Sequence, residues 1–278
     1  MVDLLLNEGY YVRALDNLSV GRIENLSHCI NDSRLDFEQI DLKCLDPNSP
    51  LFSNVEYVFH FAGIGDIVPS IERPIMYLDS NVMGTIHVLE AARFAGVRKF
   101  VFAASSSCYG LANELPTTEK STIDLRYPYA LSKYFGEQAV MHWGSTYKLP
   151  VVSIRIFNAF GTRSRTTGSY GAVFGVFLAQ KLAGRPFTVV GDGTQSRDFI
   201  YVTDLTRAFL AAAKSDRIDE VYNVGSGSPK TVNELVSLLE GEVDYLPERP
   251  GEPDCTWADI SKIKDHLEWK PEVTFEQG

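Results

Sequence analysis

The sequence predicts an α/β protein built on a doubly wound parallel sheet, followed by a smaller C-terminal α/β lobe. Three observations lead there. Short apolar runs rich in Val, Ile, Phe and Tyr recur along the first two-thirds of the chain. Stretches with helical spacing separate them, the pattern of a sheet whose strands are joined by crossover helices. Most of the runs end in a small or acidic residue, as strands do when their carboxyl ends face a ligand crevice.

Taken in order, Val2-Asp3-Leu4-Leu5-Leu6-Asn7-Glu8-Gly9 has the spacing of the last turns of a helix stopped by a glycine. Tyr10 to Leu15 reads as a strand that ends at Asp16-Asn17. Phe37 to Ile40 is a short strand ending at Asp41, and Val55 to Phe61 is a buried strand closing at Ala62-Gly63. Asn81 to Ala95 has helical periodicity with Gly96 as its stop. Lys99 to Ala104 is a strand that runs directly into Ser105-Ser106-Ser107. A helix begins near Tyr129, and Val151 to Phe157 is the next strand, ending at Asn158. Beyond it the alternation loosens. Gly191 to Phe199 is a glycine-rich turn bearing Arg197, Tyr201-Val202-Thr203-Asp204 opens a helix, and Val221 to Gly225 is another strand. Pro247 to Pro253 is a rigid loop carrying Arg249.

Composition narrows the class. The 278 residues suffice for a large core, and 45% hydrophobic with 22% charged residues is ordinary for a globular protein. A formal net charge of −10 argues against nucleic acid or an anionic membrane as the main partner. No apolar run reaches the roughly 18 residues of a membrane span. Cys29, Cys44, Cys108 and Cys255 are scattered without a Cys-x-x-Cys pair, which predicts neither a disulfide framework nor a zinc site and points to the reducing cytoplasm. His28, His87, His142 and His266 show no metal-ligand spacing, and His60, on a buried strand end, is expected to be structural.

Arg126-Tyr127-Pro128-Tyr129-Ala130-Leu131-Ser132-Lys133 carries the chemistry. Four residues apart on a helix, Tyr129 and Lys133 share one face. A phenol near pKa 10 is a poor base at neutral pH, but a nearby ammonium favours the phenolate. The pair therefore predicts an acid–base couple able to take a proton from an alcohol and return it. Asp16, at a strand end, suits ribose hydroxyls and disfavours a 2′-phosphate. Arg197 and Arg249, on loops after the strand-rich half, suit a diphosphate.

Together these residues resemble the extended short-chain dehydrogenase/reductases of the nucleotide-sugar epimerase/dehydratase group. The likeness runs nearly end to end, through Asp16-Asn17-Leu18, Asp41-Leu42, His60-x-Ala62-Gly63, Asn81-Val82-x-Gly84-Thr85, Ser105-Ser106-Ser107-x-Tyr109-Gly110, Tyr129-x-x-x-Lys133, Arg155-x-Phe157-Asn158-x-x-Gly161, Gly191-Asp192-Gly193-x-Gln195-x-Arg197-Asp198-Phe199 and Tyr222-Asn223-x-Gly225. The resemblance implies a Rossmann-type NAD-binding domain over residues 1–158, to which 199–226 return, and a nucleotide-sugar-binding lobe formed by 159–198 and 227–278. It implies NAD as cofactor, lined by Asp16, Asn17, Asp41, Leu42, Ala62, Asn81 and Lys133. Ser105, Tyr129 and Lys133 would be catalytic, and Ser106, Ser107, Asn158, Arg197, Arg249 and Thr256 would bind the nucleotide sugar. A homodimer is implied through a bundle of the helices at 81–95 and 129–142.

Within that group, dehydratases and decarboxylases carry a glutamate at the place of Ser107. The loop here has no carboxyl group for elimination and resembles the 4-epimerases. The implied reaction is transient oxidation of the sugar C4 hydroxyl to a 4-keto intermediate, with 4,6-dehydration or glucuronate decarboxylation as alternatives. Thr256 falls where a bulky tyrosine restricts some epimerases to glucose and galactose, so UDP-N-acetylhexosamines are expected as substrates. The family's first strand and Gly-x-x-Gly-x-x-Gly loop are expected upstream of Met1, the chain being a fragment or the product of a late start. The competing expectation is a folded, non-catalytic chain unable to hold NAD.

Overall fold

The computed structural model describes residues 1–164, 173–247 and 253–278. Its centre is a four-stranded parallel sheet in the order β10 (Glu220–Val224), β5 (Val151–Ile156), β4 (Lys99–Ser105) and β3 (Tyr57–His60). β4 is central and covered on both faces, which is why Phe100, Val101 and Phe102 follow one another without polar alternation and are all buried. Its one cation, Lys99, is buried with its ammonium on the carbonyls of Ser215 and Arg217 at 3.0 and 2.6 Å. Those carbonyls follow helix α7 (Val202–Lys214), where a cation offsets the helix dipole.

A second parallel pair, β1 (Val12–Asp16) and β2 (Leu35–Gln39), shares no ladder with the four-stranded sheet. A cavity of about 880 Å³ lies between β1 and β3. The sheet is thus interrupted where the resemblance places its first strand.

The strand expected over 10–15 begins at Val12, and helix α1 spans Val2–Asn7 with Gly9 beyond it at φ 85°. The helix expected over 81–95 is preceded by a π-helical turn, Asp79–Met83, before the regular α4 (Gly84–Ala95) ends at the left-handed Gly96. Helices α2 (Ile67–Glu72) and α3 (Pro74–Leu78) lead into that turn. The Tyr129 helix is α5, Pro128–Tyr147; proline at its first position fits because no partner awaits its missing N–H. α7 begins at Val202 with Tyr201 as N-cap; Asp204, inside its first turn, accepts from the backbone N–H groups of Glu272 and Val273 (2.8 and 2.9 Å). A threonine–aspartate helix start read from sequence is here also the clasp of the C-terminal segment.

Around this sheet lie small pairs: β6 (Asn158–Phe160) with β9 (Phe199–Tyr201), β7 (Phe187–Val190) with β12 (Val243–Leu246), and β8 (Ser196–Arg197) with β11 (Lys230–Thr231). Phe177 of α6 (Val173–Leu182) stacks on Phe187, and Leu235 of α8 (Val232–Leu239) joins them in a separate apolar cluster. All four cysteines are free thiols.

Candidate active site

β4 delivers Ser105 to the carboxyl edge of the sheet, and α5 lays Tyr129 and Lys133 against it. Tyr129 donates to Ser105 Oγ at 3.4 Å, a long bond. Ser105 Oγ also accepts from the Ser107 N–H at 3.2 Å, so its lone pairs are turned toward the backbone and toward Tyr129. Ser105, Tyr129 and Lys133 line a recess with Gly63, Ile64, Gly65 and Phe157. Tyr77 packs its ring edge-on to Tyr129, 6.4 Å between centroids, and donates to the Gly65 carbonyl.

The electrostatics differ from the expectation for a tyrosine–lysine couple. Burial pushes the Tyr129 hydroxyl above the usual phenol range; the Ser105 hydrogen bond opposes this and the Asp66 carboxylate adds to it. Lys133 does not counter the rise, because its ammonium lies over the ring of Phe102, 4.7 Å from the centroid. Burial lowers Lys133 to about 8, with Glu137 holding some of its charge. The shared helix face thus brings the two residues to one site, and burial is the largest cause of the shift at each.

Asn81, in the π-helical turn, is almost fully buried. Its Oδ1 accepts from the Ile64 N–H (2.7 Å), and its Nδ2 donates to the Ile64 carbonyl and to Ser132 Oγ (3.0 and 2.9 Å). Read from sequence as a cofactor ligand, its side chain clamps the 63–65 loop to α5. Thr85 Oγ1 donates to the Asn81 carbonyl (2.6 Å) and therefore accepts from His60 Nε2 at 2.9 Å. This makes His60 a neutral N–H donor, in keeping with burial and the Lys133 charge pushing it down to about 3.

The cavity between β1 and β3 is lined by Asp16, Asn17, Asp41, Leu42 and Ala62. Asp16 Oδ1 accepts from the Leu18 N–H at 2.7 Å, and a side chain on Gly21 would meet Asp16 Oδ2 at 2.5 Å. A Cβ on Gly63 would fall 2.8 Å from Asn81 Oδ1. Two such close backbone approaches beside an acidic strand end, in a cavity of this volume, fit a dinucleotide.

On the other side of the site, Asn158 on β6, Arg197 on β8 and Thr256 come together: Thr256 donates to Asn158 Oδ1 at 3.0 Å, and its N–H bonds the Ser196 carbonyl at 3.1 Å. Arg249 lies outside the described residues. Ser106 and Ser107 open the 3₁₀ turn Ser106–Tyr109; Ser107 Oγ is buried with no hydrogen-bond partner among the described residues.

Sequence reading missed the polar network under this floor. Arg155 meets Glu137 (2.9 and 2.6 Å) and donates to the Tyr109 hydroxyl, which donates to Asn223 Oδ1 (2.8 and 2.7 Å). A charged Arg155 inside an apolar strand was the available signal. Spacing also concealed a surface group, Asp3, His28 and Cys29, whose ligand atoms lie within 4.8 Å; there the Arg163 guanidinium already pairs with Asp3.

With the geometry in place, comparison with known proteins identifies the group. The sequence profile of the NAD dependent epimerase/dehydratase family matches residues 1–225. The chain belongs to this family. A UDP-glucose 4-epimerase of Mycolicibacterium smegmatis is 33% identical across the whole chain and 91% of that protein. The structure of UDP-N-acetylglucosamine 4-epimerase from Methanobrevibacter ruminantium M1, in complex with UDP-N-acetylmuramic acid, superposes with a TM-score of 0.94 at 33% identity, over 99% of this chain and 90% of that one. UDP-glucose 4-epimerase from Thermotoga maritima with UDP-glucose gives 0.92 at 32% identity, over 100% and 91%. The family uses NAD, consistent with the cavity beside Asp16.

Proposed function

We propose that the chain is a 4-epimerase of UDP-sugars. The observation that carries this reading is the Ser105–Tyr129 hydrogen bond beside a 105–110 loop that holds no carboxylate. The same constellation with an acid at 107 would suit elimination of water, the other reaction in the family's name. Bound NAD supplies a reversible hydride acceptor and positive charge. The residues of the chain do the rest: Tyr129, once ionised, takes the proton from the sugar C4 hydroxyl and returns it to the C4 oxygen when the 4-keto group is reduced on its other face. Ser105 holds the C4 oxygen through the hydroxyl it shares with Tyr129. Lys133, buried and still cationic below about pH 8, holds the cofactor ribose. Asp16, Asn17, Asp41, Leu42 and Ala62 line the cofactor cavity. Asn158, Arg197 and Arg249 grip the diphosphate; Ser106 and Ser107 contact the sugar. The NAD-binding part comprises 1–158 and 199–226, and the sugar-binding lobe 159–198 and 227–278. Two copies pair across α4 and α5, where Phe94 and Phe135, with Met83 just ahead of α4, are exposed.

The small Thr256 leaves room for an N-acetyl group, so both UDP-glucose and UDP-N-acetylglucosamine are substrates. Tyr129→Phe removes the group assigned to exchange the C4 proton and is expected to lower turnover by at least about 100-fold, as loss of a general base does. Its melting temperature should stay near that of the parent. Turnover of both sugars with an NAD-dependent rise in melting temperature supports the reading. Undiminished activity of Tyr129→Phe, or a melting point indifferent to NAD, refutes it.

A further inference from the structure

We propose that Thr256 is a positioning residue that locks the amide of Asn158 with both N–H donors turned toward the diphosphate of the substrate. The inference rests on the reading of Asn158 as a diphosphate ligand and deepens it. Three hydrogen bonds form a closed ring. The Asn158 N–H donates to the Asp198 carbonyl (3.0 Å), the Asp198 N–H to Thr256 Oγ1 (3.2 Å), and the Thr256 hydroxyl to Asn158 Oδ1 (3.0 Å). A hydroxyl has one proton. The Thr256 proton closes the ring on the amide oxygen, and in this arrangement the amide nitrogen faces the other way. Among the described residues, Asn158 Nδ2 bonds no protein group and keeps two donors for an anion.

The ring is held rigidly. The Asp198 carboxylate is fully buried and accepts from the N–H and hydroxyl of Ser226 (2.5 and 2.6 Å), the Gly227 N–H (3.1 Å) and the Ala258 N–H (2.9 Å). Those bonds tie the 255–259 segment to the start of β9. Thr256 therefore bonds the neighbours of Arg197 on both sides, Ser196 and Asp198, as well as Asn158. It connects the residues assigned to the diphosphate. If the amide turned over, it would present carbonyl lone pairs to phosphate oxygens in place of charge-assisted N–H bonds.

This role depends on the hydroxyl and not on size, and valine separates the two because it keeps the volume and branching of threonine. The test is calorimetric titration of the full chain with UDP. Asn158→Ala and Thr256→Val should each bind about tenfold more weakly, the scale of one hydrogen bond to a charged group. Thr256→Ser should bind as the parent does. The double variant Asn158→Ala/Thr256→Val should be no weaker than Asn158→Ala, because the effect of Thr256 runs through the amide. Thr256→Val should also leave the ratio of UDP-glucose to UDP-N-acetylglucosamine turnover unchanged. If Thr256→Val lowers the melting temperature so far that binding is unreadable, Thr256→Ala carries the same arm. Parent-like binding by a folded Thr256 variant without the hydroxyl, or additive losses in the double variant, would overturn the positioning role alone. Parent-like binding by Asn158→Ala would remove Asn158 from the diphosphate site, and the inference with it.

Discussion

Lys133 sits in the protein at an energetic cost that can be measured. The residue is 8% exposed, its ammonium has the Phe102 ring beneath it, and burial lowers it from 10.5 to about 8. At about 1.4 kcal/mol per pH unit, a depression of that size is a penalty of roughly 3 kcal/mol for keeping the charge folded. In the unfolded chain the lysine holds its proton up to about 10.5, so between about 8 and 10.5 the unfolded state binds more protons than the folded one. Stability must therefore rise with pH across that window: the penalty is complete below 8 and gone above 10.5. Lys133→Met keeps an unbranched stem of similar length and removes the charge. It forfeits a cation–π contact worth about 1–2 kcal/mol at a desolvated site. We expect a net gain of about 1–2 kcal/mol below pH 8, falling to zero or reversing near 10.5 as the penalty in the parent disappears. Equilibrium urea unfolding of both proteins at the two ends of the window measures it, with epimerase activity lost throughout. A variant less stable than the parent below pH 8, or a difference independent of pH, would refute the argument that burial governs this lysine. A stabilising substitution that abolishes activity is the signature of a residue kept for chemistry.

Two further outcomes follow from the packing. Glu137→Gln leaves the Arg155 guanidinium buried without a charge partner; both side chains are at most 6% exposed, so a loss of about 3–5 kcal/mol is expected in urea unfolding. Gly110→Ala places a methyl against the backbone carbonyl of Asp124 at a residue with φ 56°. Neither the oxygen nor the left-handed conformation can give way, so a loss of about 2–4 kcal/mol is expected, with lower turnover because the 105–110 loop must shift. An unchanged melting curve would show that this turn is looser than its contacts indicate.

Much of this was legible in the residues because it depends on local order. Apolar runs alternating with helical periodicity specify a parallel sheet through backbone hydrogen bonding and burial alone, and β3, β4, β5 and β10 lie within two residues of their expected bounds. The Tyr129–Lys133 spacing on a helix places both side chains on one face whatever the surroundings. Ser105 was readable as a strand end, and a strand end in such a sheet faces the crevice. Tertiary structure decided what these residues feel. Burial against Phe102 and under the 63–65 loop, not the offset of four, sets the proton affinities of Tyr129 and Lys133, and it sets them opposite to the simple pairing argument for the tyrosine. Asn81 became a clamp because chain folding places Ile64 and Ser132 within reach of its amide. Thr256, 98 residues from Asn158, acquired its role through a hydrogen bond between segments that no local pattern relates. Pair spacing determines which side chains can share a face. Desolvation and long-range hydrogen bonds, which depend on every element packed around them, determine what those side chains can do.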